Sequence, residues 1–178
     1  MKIAIITDTH FGAKGDSQIF LEHTFKFFED VFFPTIKEQG ITNVLHLGDL
    51  MDRRKYVNFH TLHQMRTRFM DRLLAEKVNV HCIVGNHYTY FKNTNEVNSP
   101  KELFGDKYPN FHIYTDPVIL GIGNKNFAMV PWINKENQDD IFEWIKNVDA
   151  PILCGHFEFD GYQVMRNVKH TGGQDPKI

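Results

Sequence analysis

The sequence predicts an α/β fold built on a parallel sheet, and three observations predict it. Between residues 2 and 87, short runs rich in Ile, Val and Leu alternate with longer stretches whose apolar residues recur at helical spacing. Each of those short runs ends in Gly or polar residues. Beyond residue 110 the pattern shortens to strand-sized pieces joined by turns. Strand, helix, strand, helix, strand is the alternation that lays parallel strands side by side through right-handed crossovers.

Residues 2–7, KIAIIT, read as a strand buried on both faces. Residues 18–38 set Phe20, Phe27, Phe28, Val31 and Phe32 at helical spacing among charges, and Pro34 is expected to kink or shorten that helix. NVLHLGD at 43–49 is a second strand. Phe59, Leu62, Met65, Phe69 and Leu73 form an apolar stripe on a helix over 58–76. VNVHCIVGNH at 78–87 is a third strand. NFHIYT, PVILGIG and NFAMVPW then read as strands, with GIGNKN a hairpin connection between the last two. A helix over 137–147 carries acidic residues in its first turn, where the helix dipole favours them. APILCGHFEF at 150–159 is one more buried strand ending in polar residues.

A chain of 178 residues has room for one domain with a real core. Its net charge of -2 gives no global basic signature, so a nucleic-acid partner must be held by a local patch or through metal ions. Cys82 and Cys154 both lie in apolar runs and read as buried reduced thiols, which points to a reducing, cytoplasmic setting. No apolar run approaches the roughly 20 residues that span a bilayer, so no membrane association is expected. A Gly-rich phosphate loop with Lys, a Ser nucleophile elbow and a Cys-x-x-Cys pair are all absent, which argues against ATP hydrolysis and acyl transfer.

The polar residues at the strand ends form one set. The first strand delivers Asp8 and His10, the second Asp49, the third Asn86 and His87, and the last His156. In open α/β sheets the carboxyl ends of strands are where sites form. Taken singly, Asp-x-His after a strand is a turn or helix cap, and Gly-Asn is common turn chemistry. Taken together, carboxylate, imidazole and amide-oxygen ligands suit a borderline or hard divalent cation such as Mn²⁺, Fe²⁺ or Zn²⁺. Asp49 has two oxygens with which to bridge two ions. His87, beside Asn86, is placed to contact a phosphate or protonate a leaving oxygen.

DTHFG at 8–12, GDLMDR at 48–53, GNH at 85–87 and GH at 155–156 resemble the successive motifs of the calcineurin-like metallophosphoesterases. The DxHxG and GDLxDR variants look most like the SbcD-type nucleases that process DNA double-strand breaks, among them the recombination endonuclease subunits of T-even-like phages. The resemblance implies a four-layer α/β/β/α sandwich with mixed sheets. It implies two divalent ions, Mn²⁺ first and Fe²⁺, Zn²⁺ or Mg²⁺ as alternatives. Asp8, His10 and Asp49 would hold one, and Asp49, Asn86 and His156 the other. His87 would be the phosphate-facing catalytic histidine, with Asp52 near the site. The family has Asp after GNH where Tyr88 stands here, and it has a later GHxH motif not found in these residues. The expectation is therefore a single nuclease domain over 1–178, incomplete at its C-terminal side, with low or no activity alone.

As partners, the resemblance implies DNA, an SbcC-type ATPase subunit and a second copy paired through helix 58–76, in the cytoplasm of a host cell if the gene belongs to a phage. Arg53, Arg54 and Lys55 lie just beyond a ligand strand, where phosphate contacts are useful. A phosphatase or cyclic-nucleotide phosphodiesterase on the same fold and a catalytically incomplete scaffold are the competing readings.

Overall fold

The computed structural model describes residues 2–175. Four parallel strands, β1 (Ala4–Ile6), β2 (Asn43–His46), β3 (Asn79–Ile83) and β4 (Phe111–Tyr114), form the first sheet in that order. The second sheet is mixed: β5 (Val118–Ile122) pairs antiparallel with β6 (Lys125–Val130), and β6 pairs parallel with β7 (Ile152–Gly155). A small hairpin, β8 (Gln163–Met165) and β9 (Val168–Lys169), follows.

Between β1 and β2 lies α1, a helix through Gln18–Phe27, Phe28–Phe32 and Phe33–Glu38. Its middle segment is a wide π turn. That widening lets the helix run past Pro34, whose missing N–H and ring the regular ladder could not accommodate, so the proline neither ends nor shortens it. Between β2 and β3, α2 runs through Phe59–Met65, Arg66–Met70 and Asp71–Ala75, started by Asn58, whose side chain accepts from His60 N and Thr61 N. A short α3 (Ser99–Phe104) and α4 (Gln138–Asn147) complete the helices used below.

Three apolar clusters stack these layers. Phe25, Phe28, Phe33, Met65, Phe69 and Leu73 pack α1 and α2 on one face of the first sheet. Leu45 and Ile83 on its other face meet Ile122, Phe127, Met129 and Cys154 of the second sheet. Val130, Ile133 and Ile141 join the outer face of the second sheet to α4. The order is helix, sheet, sheet, helix, which is the four-layer sandwich with mixed sheets expected from the sequence.

Two expectations change. The first and last strands are not buried throughout: Ile5 is 53% exposed, and Ile152 and Leu153 are exposed too, because β1 and β7 are edge strands of their sheets. The stripe on α2 is largely consumed by the core, where Met65, Phe69 and Leu73 are buried, so a contact between copies along 58–76 has Phe59, 84% exposed, and Leu74 to use. Cys82 and Cys154 are free and buried, as read from their neighbours. Among the described residues no helix is long and apolar enough to cross a membrane.

Candidate metal centre

The loops that follow β1 and β2 are zipped to each other. Asp8 N donates to Gly48 O at 3.1 Å, His10 N to Asp49 O at 3.0 Å and Phe11 N to Leu50 O at 2.9 Å. This pairing holds Asp8 (φ 52°), His10 (φ 42°) and Asp49 (φ 52°) in left-handed backbone, which costs a non-glycine residue about 1–3 kcal/mol. Three such residues at two adjoining strand ends mark a place where geometry is held against local preference.

Asp49 is the centre. It is 2% exposed, and its Oδ1 accepts from His87 N at 2.9 Å. Around its Oδ2 converge three imidazole Nε2 atoms: His156 at 3.5 Å, His10 at 3.7 Å and His87 at 4.0 Å. Asp8 Oδ1 lies 3.4 Å from His10 Nε2. That contact holds the Asp8 carboxyl down at about 2, and the same carboxylate raises His10.

The far sides of two of the rings are fixed. His87 Nδ1 lies 3.1 Å from Asp52 O and His156 Nδ1 lies 2.8 Å from Leu47 O. A carbonyl oxygen only accepts, so both Nδ1 atoms carry the proton and both Nε2 lone pairs face the site. His10 Nδ1 lies 3.4 Å from Asp52 Oδ1 but makes no hydrogen bond, so only His87 and His156 are held this way. Histidines that hold metals have this arrangement, with one nitrogen inward and the other donating to a carbonyl or carboxylate.

The inward atoms fit a cation. His156 Nε2 lies 3.1 Å from Asn86 Oδ1, so a neutral ring sets a lone pair against an amide oxygen and the Asp49 carboxylate. Only positive charge between them, a proton or a metal ion, relieves that opposition. Ligand atoms of His10, Asp49 and His87 lie within 4.8 Å of one another, as do those of Asp8, Asp49 and His156. Asp49 belongs to both groups. Asn86 stands beside the second through His156.

Glycines make the approach possible. A methyl group on Gly48 would come within 2.5 Å of His156 Nδ1, and one on Gly85 would overlap the Asp49 carboxylate. The Gly in GD and in GNH is therefore a matter of space.

One contributor was missed. Asn86 Nδ2 donates to Glu158 Oε1 at 3.1 Å, and this decides that the amide oxygen faces His156. Glu158 N in turn donates to Gln174 Oε1 at 2.9 Å. The faint signal was an acid two residues beyond His156. Asp52 lies behind the rings, its carboxylate 3.4 Å from His10 Nδ1 and its carbonyl 3.1 Å from His87 Nδ1. Tyr88 turns into the core and donates its hydroxyl to Ile83 O at 2.7 Å, leaving the Asp52 carbonyl to orient His87.

The basic run is largely committed within the fold. Arg53 pairs with Asp16 at 3.2 Å, and Arg54 donates to Thr89 Oγ1 at 3.2 Å and lies over the Trp132 ring. Lys55 is exposed and sits over Tyr90.

The sequence profile described as calcineurin-like phosphoesterase matches residues 1–176. Exonuclease subunit 1 of Enterobacteria phage T4 is 30% identical over 172 residues, which are 97% of this chain and 50% of that protein. The chain thus spans about half the length of the curated relative it matches. A solved protein of unknown function from Aquifex aeolicus is similar over 81% of this chain and 69% of its own, at 19% identity and a TM-score of 0.44. With its profile matched over nearly the whole chain, and its motif residues gathered around Asp49, the chain belongs to the calcineurin-like phosphoesterase family.

Proposed function

We propose that this chain is a metal-dependent phosphodiesterase that hydrolyses DNA, the catalytic part of a nuclease acting in recombination, repair or replication. The family uses divalent metals. In this reading Asp8, His10 and Asp49 hold one ion and Asp49, Asn86 and His156 a second, with Mn²⁺ as the metal. When bound, such ions supply Lewis acidity towards a phosphoryl oxygen and ease the deprotonation of water. The observation that carries the proposal is the convergence of three Nε2 atoms on Asp49 Oδ2, with His87 and His156 fixed from behind by carbonyls.

The chain's own groups divide the remaining work. The half-exposed His87 ring has its Nδ1–H occupied by Asp52 O, so Nε2 is the atom that meets substrate. Protonated there, it donates to the departing oxygen, and neutral, it accepts a hydrogen bond from an attacking water. Asp49, fixed by His87 N, keeps ligands and His87 in one frame. An SbcC-type ATPase, DNA and a second copy of the chain are the partners of this reading, supported by a relative named as an exonuclease subunit.

The test is Mn²⁺-dependent cleavage of end-labelled linear DNA and of bis-p-nitrophenyl phosphate, with His87→Gln and Asp49→Asn as controls. DNA cleavage that both substitutions lower at least about 100-fold supports the reading. Hydrolysis of the small diester with DNA left intact overturns it in favour of a small-molecule phosphodiesterase.

A further inference from the structure

Two loops leave the metal centre side by side, matched rung by rung. His87 Nδ1 meets Asp52 O at 3.1 Å, Thr89 Oγ1 meets Arg54 Nη1 at 3.2 Å, and the Tyr90 ring meets Lys55 Nζ at 5.1 Å from its centroid. Three residues of extended chain reach about 10 Å, so Tyr90 lies no farther than that along the backbone from His87. Near this outer end three aromatic rings are partly exposed: Tyr56, next to Lys55 in the chain, is 65% exposed, Tyr90 41% and Phe91 50%. Arg53 lies over Tyr56 at 4.8 Å, and the Tyr90 and Phe91 rings meet edge to face at 4.7 Å.

The outer loop is braced. Thr89 bridges to Asn98, Tyr90 N donates to Val97 O at 2.8 Å, and the buried Asn95 amide donates to Trp132 O at 2.9 Å. Leaving large rings about half in water forgoes a part of the roughly 1.5–3 kcal/mol that full burial of each would contribute. Here three partly exposed rings lie on two paired loops, Tyr90 and Phe91 on braced backbone and Tyr56 next to Lys55 in the chain, with the Lys55 ammonium over Tyr90 and a candidate catalytic histidine at the other end of the rungs.

Rings beside cations recognise a flat, anionic strand, because bases stack on the rings while ammonium and guanidinium groups face phosphates. Duplex bases already stack on one another and offer no free face. We infer that Tyr56, Tyr90 and Phe91, with Lys55, form a stacking platform for the unpaired bases of a single strand leading to the metal centre. This rests on the nuclease reading above and adds to it a preference for unpaired DNA.

The test measures binding in chelator, by anisotropy, to a labelled oligothymidylate and to an abasic sugar-phosphate strand of equal length. Stacking predicts that the oligothymidylate binds at least about tenfold tighter, since each stacked base contributes about 1–3 kcal/mol. The Tyr90→Ala, Phe91→Ala pair lowers that ratio about threefold or more, while the ring-conserving Tyr90→Phe, Phe91→Tyr pair keeps it. Should the alanine pair lower the unfolding midpoint, Tyr56→Ala alone gives the same reading, with a fall in the ratio of about threefold or more. A ratio near one for the unsubstituted protein, or alanine variants that keep the ratio, overturns the platform. If that protein still cleaves DNA with Mn²⁺, the platform alone has failed. If it hydrolyses only the small diester, the nuclease reading has failed and takes the platform with it.

Discussion

Asn86 can present either end of its amide to His156, and Glu158 decides which. Its carboxylate takes the Nδ2 protons at 3.1 Å, so the oxygen is left facing inward. Removing that acceptor lets the amide turn and offer an N–H where a metal needs a lone pair. Glu158→Ala is expected to weaken Mn²⁺ binding by about 10–100-fold, read by paramagnetic resonance titration, with the metal-free unfolding midpoint unchanged. Glu158→Gln keeps an accepting oxygen and recovers most of the affinity, a rescue that a merely structural residue would not show. Gly85→Ala tests the same frame from the other side: the added methyl overlaps Asp49, so metal binding is lost, while Gly121→Ala, whose methyl makes only ordinary van der Waals contact in unstrained backbone, leaves it intact. Asp8, His10, Asp49, Asn86, His87 and His156 were legible because each follows an apolar run that could only be a strand. Glu158 was not, because its placement depends on Gln174, sixteen residues further on. Neither was the left-handed backbone of Asp8, His10 and Asp49, which arises from pairing between loops far apart in sequence.

The helices α1 and α2 hold the strand ends in place through a nest of rings. Phe69 is fully buried, with ring centroids at 4.6 Å from Phe28, 5.6 Å from Phe11, 6.3 Å from Phe33 and 6.5 Å from Phe32. Phe11 belongs to the loop that carries His10, so the nest ties α2 to the site. Phe69→Ala is expected to cost about 3–5 kcal/mol in urea unfolding of the metal-free protein. Phe69→Leu should cost less than half as much, because a smaller void is left. At the surface Arg68 spans both helices, reaching Glu29 at 2.8 Å and Glu22 at 2.7 Å and covering Phe25. These elements were readable because a long amphipathic helix repeats its period several times. The six-residue α3 and the β8–β9 hairpin were missed, since neither is long enough to show one. The N-cap Asn98 with Pro100 just inside was the available signal for α3. Pro34 misled because the cost of a proline depends on the turn before it, and a π turn there removes the clash.

At the scale of the whole molecule, two buried imidazoles on neighbouring strands couple the fold to pH. Burial pushes His46 down to about 3 and His81 down to about 4, against about 6.5 in an unfolded chain. The His46 ring is held neutral from one side only: Thr9 donates its hydroxyl to Leu50 O and so accepts from His46 Nε2 at 3.1 Å, leaving Nδ1 without a partner. His81 lies against Tyr114 and His112, neither of which is an anion. Below about pH 6.5 the unfolded chain binds protons that the folded chain refuses, so stability is complete above that pH and falls as pH drops towards 4. Each ring is worth on the order of 2–3 kcal/mol by pH 4, together a large share of a domain's usual 5–15 kcal/mol. His10 works in the opposite sense: raised by Asp8, it adds stability below 6.5 that is lost as pH rises, but Asp8 is half exposed and solvent screens the pair. Asp8 itself, held at about 2, adds stability above its ordinary 3.8 that is lost only as pH falls through about 2, a lower window than that of the buried rings. Urea midpoints of the chelated protein at pH 7, 5.5 and 4 should therefore fall steadily, and His81→Gln should flatten about half of that fall by replacing a titrating ring with a neutral amide. A midpoint that holds constant from pH 7 to 4, or a His81→Gln protein with the full acid slope, would mean that the strand interior lets protons reach these rings at little cost.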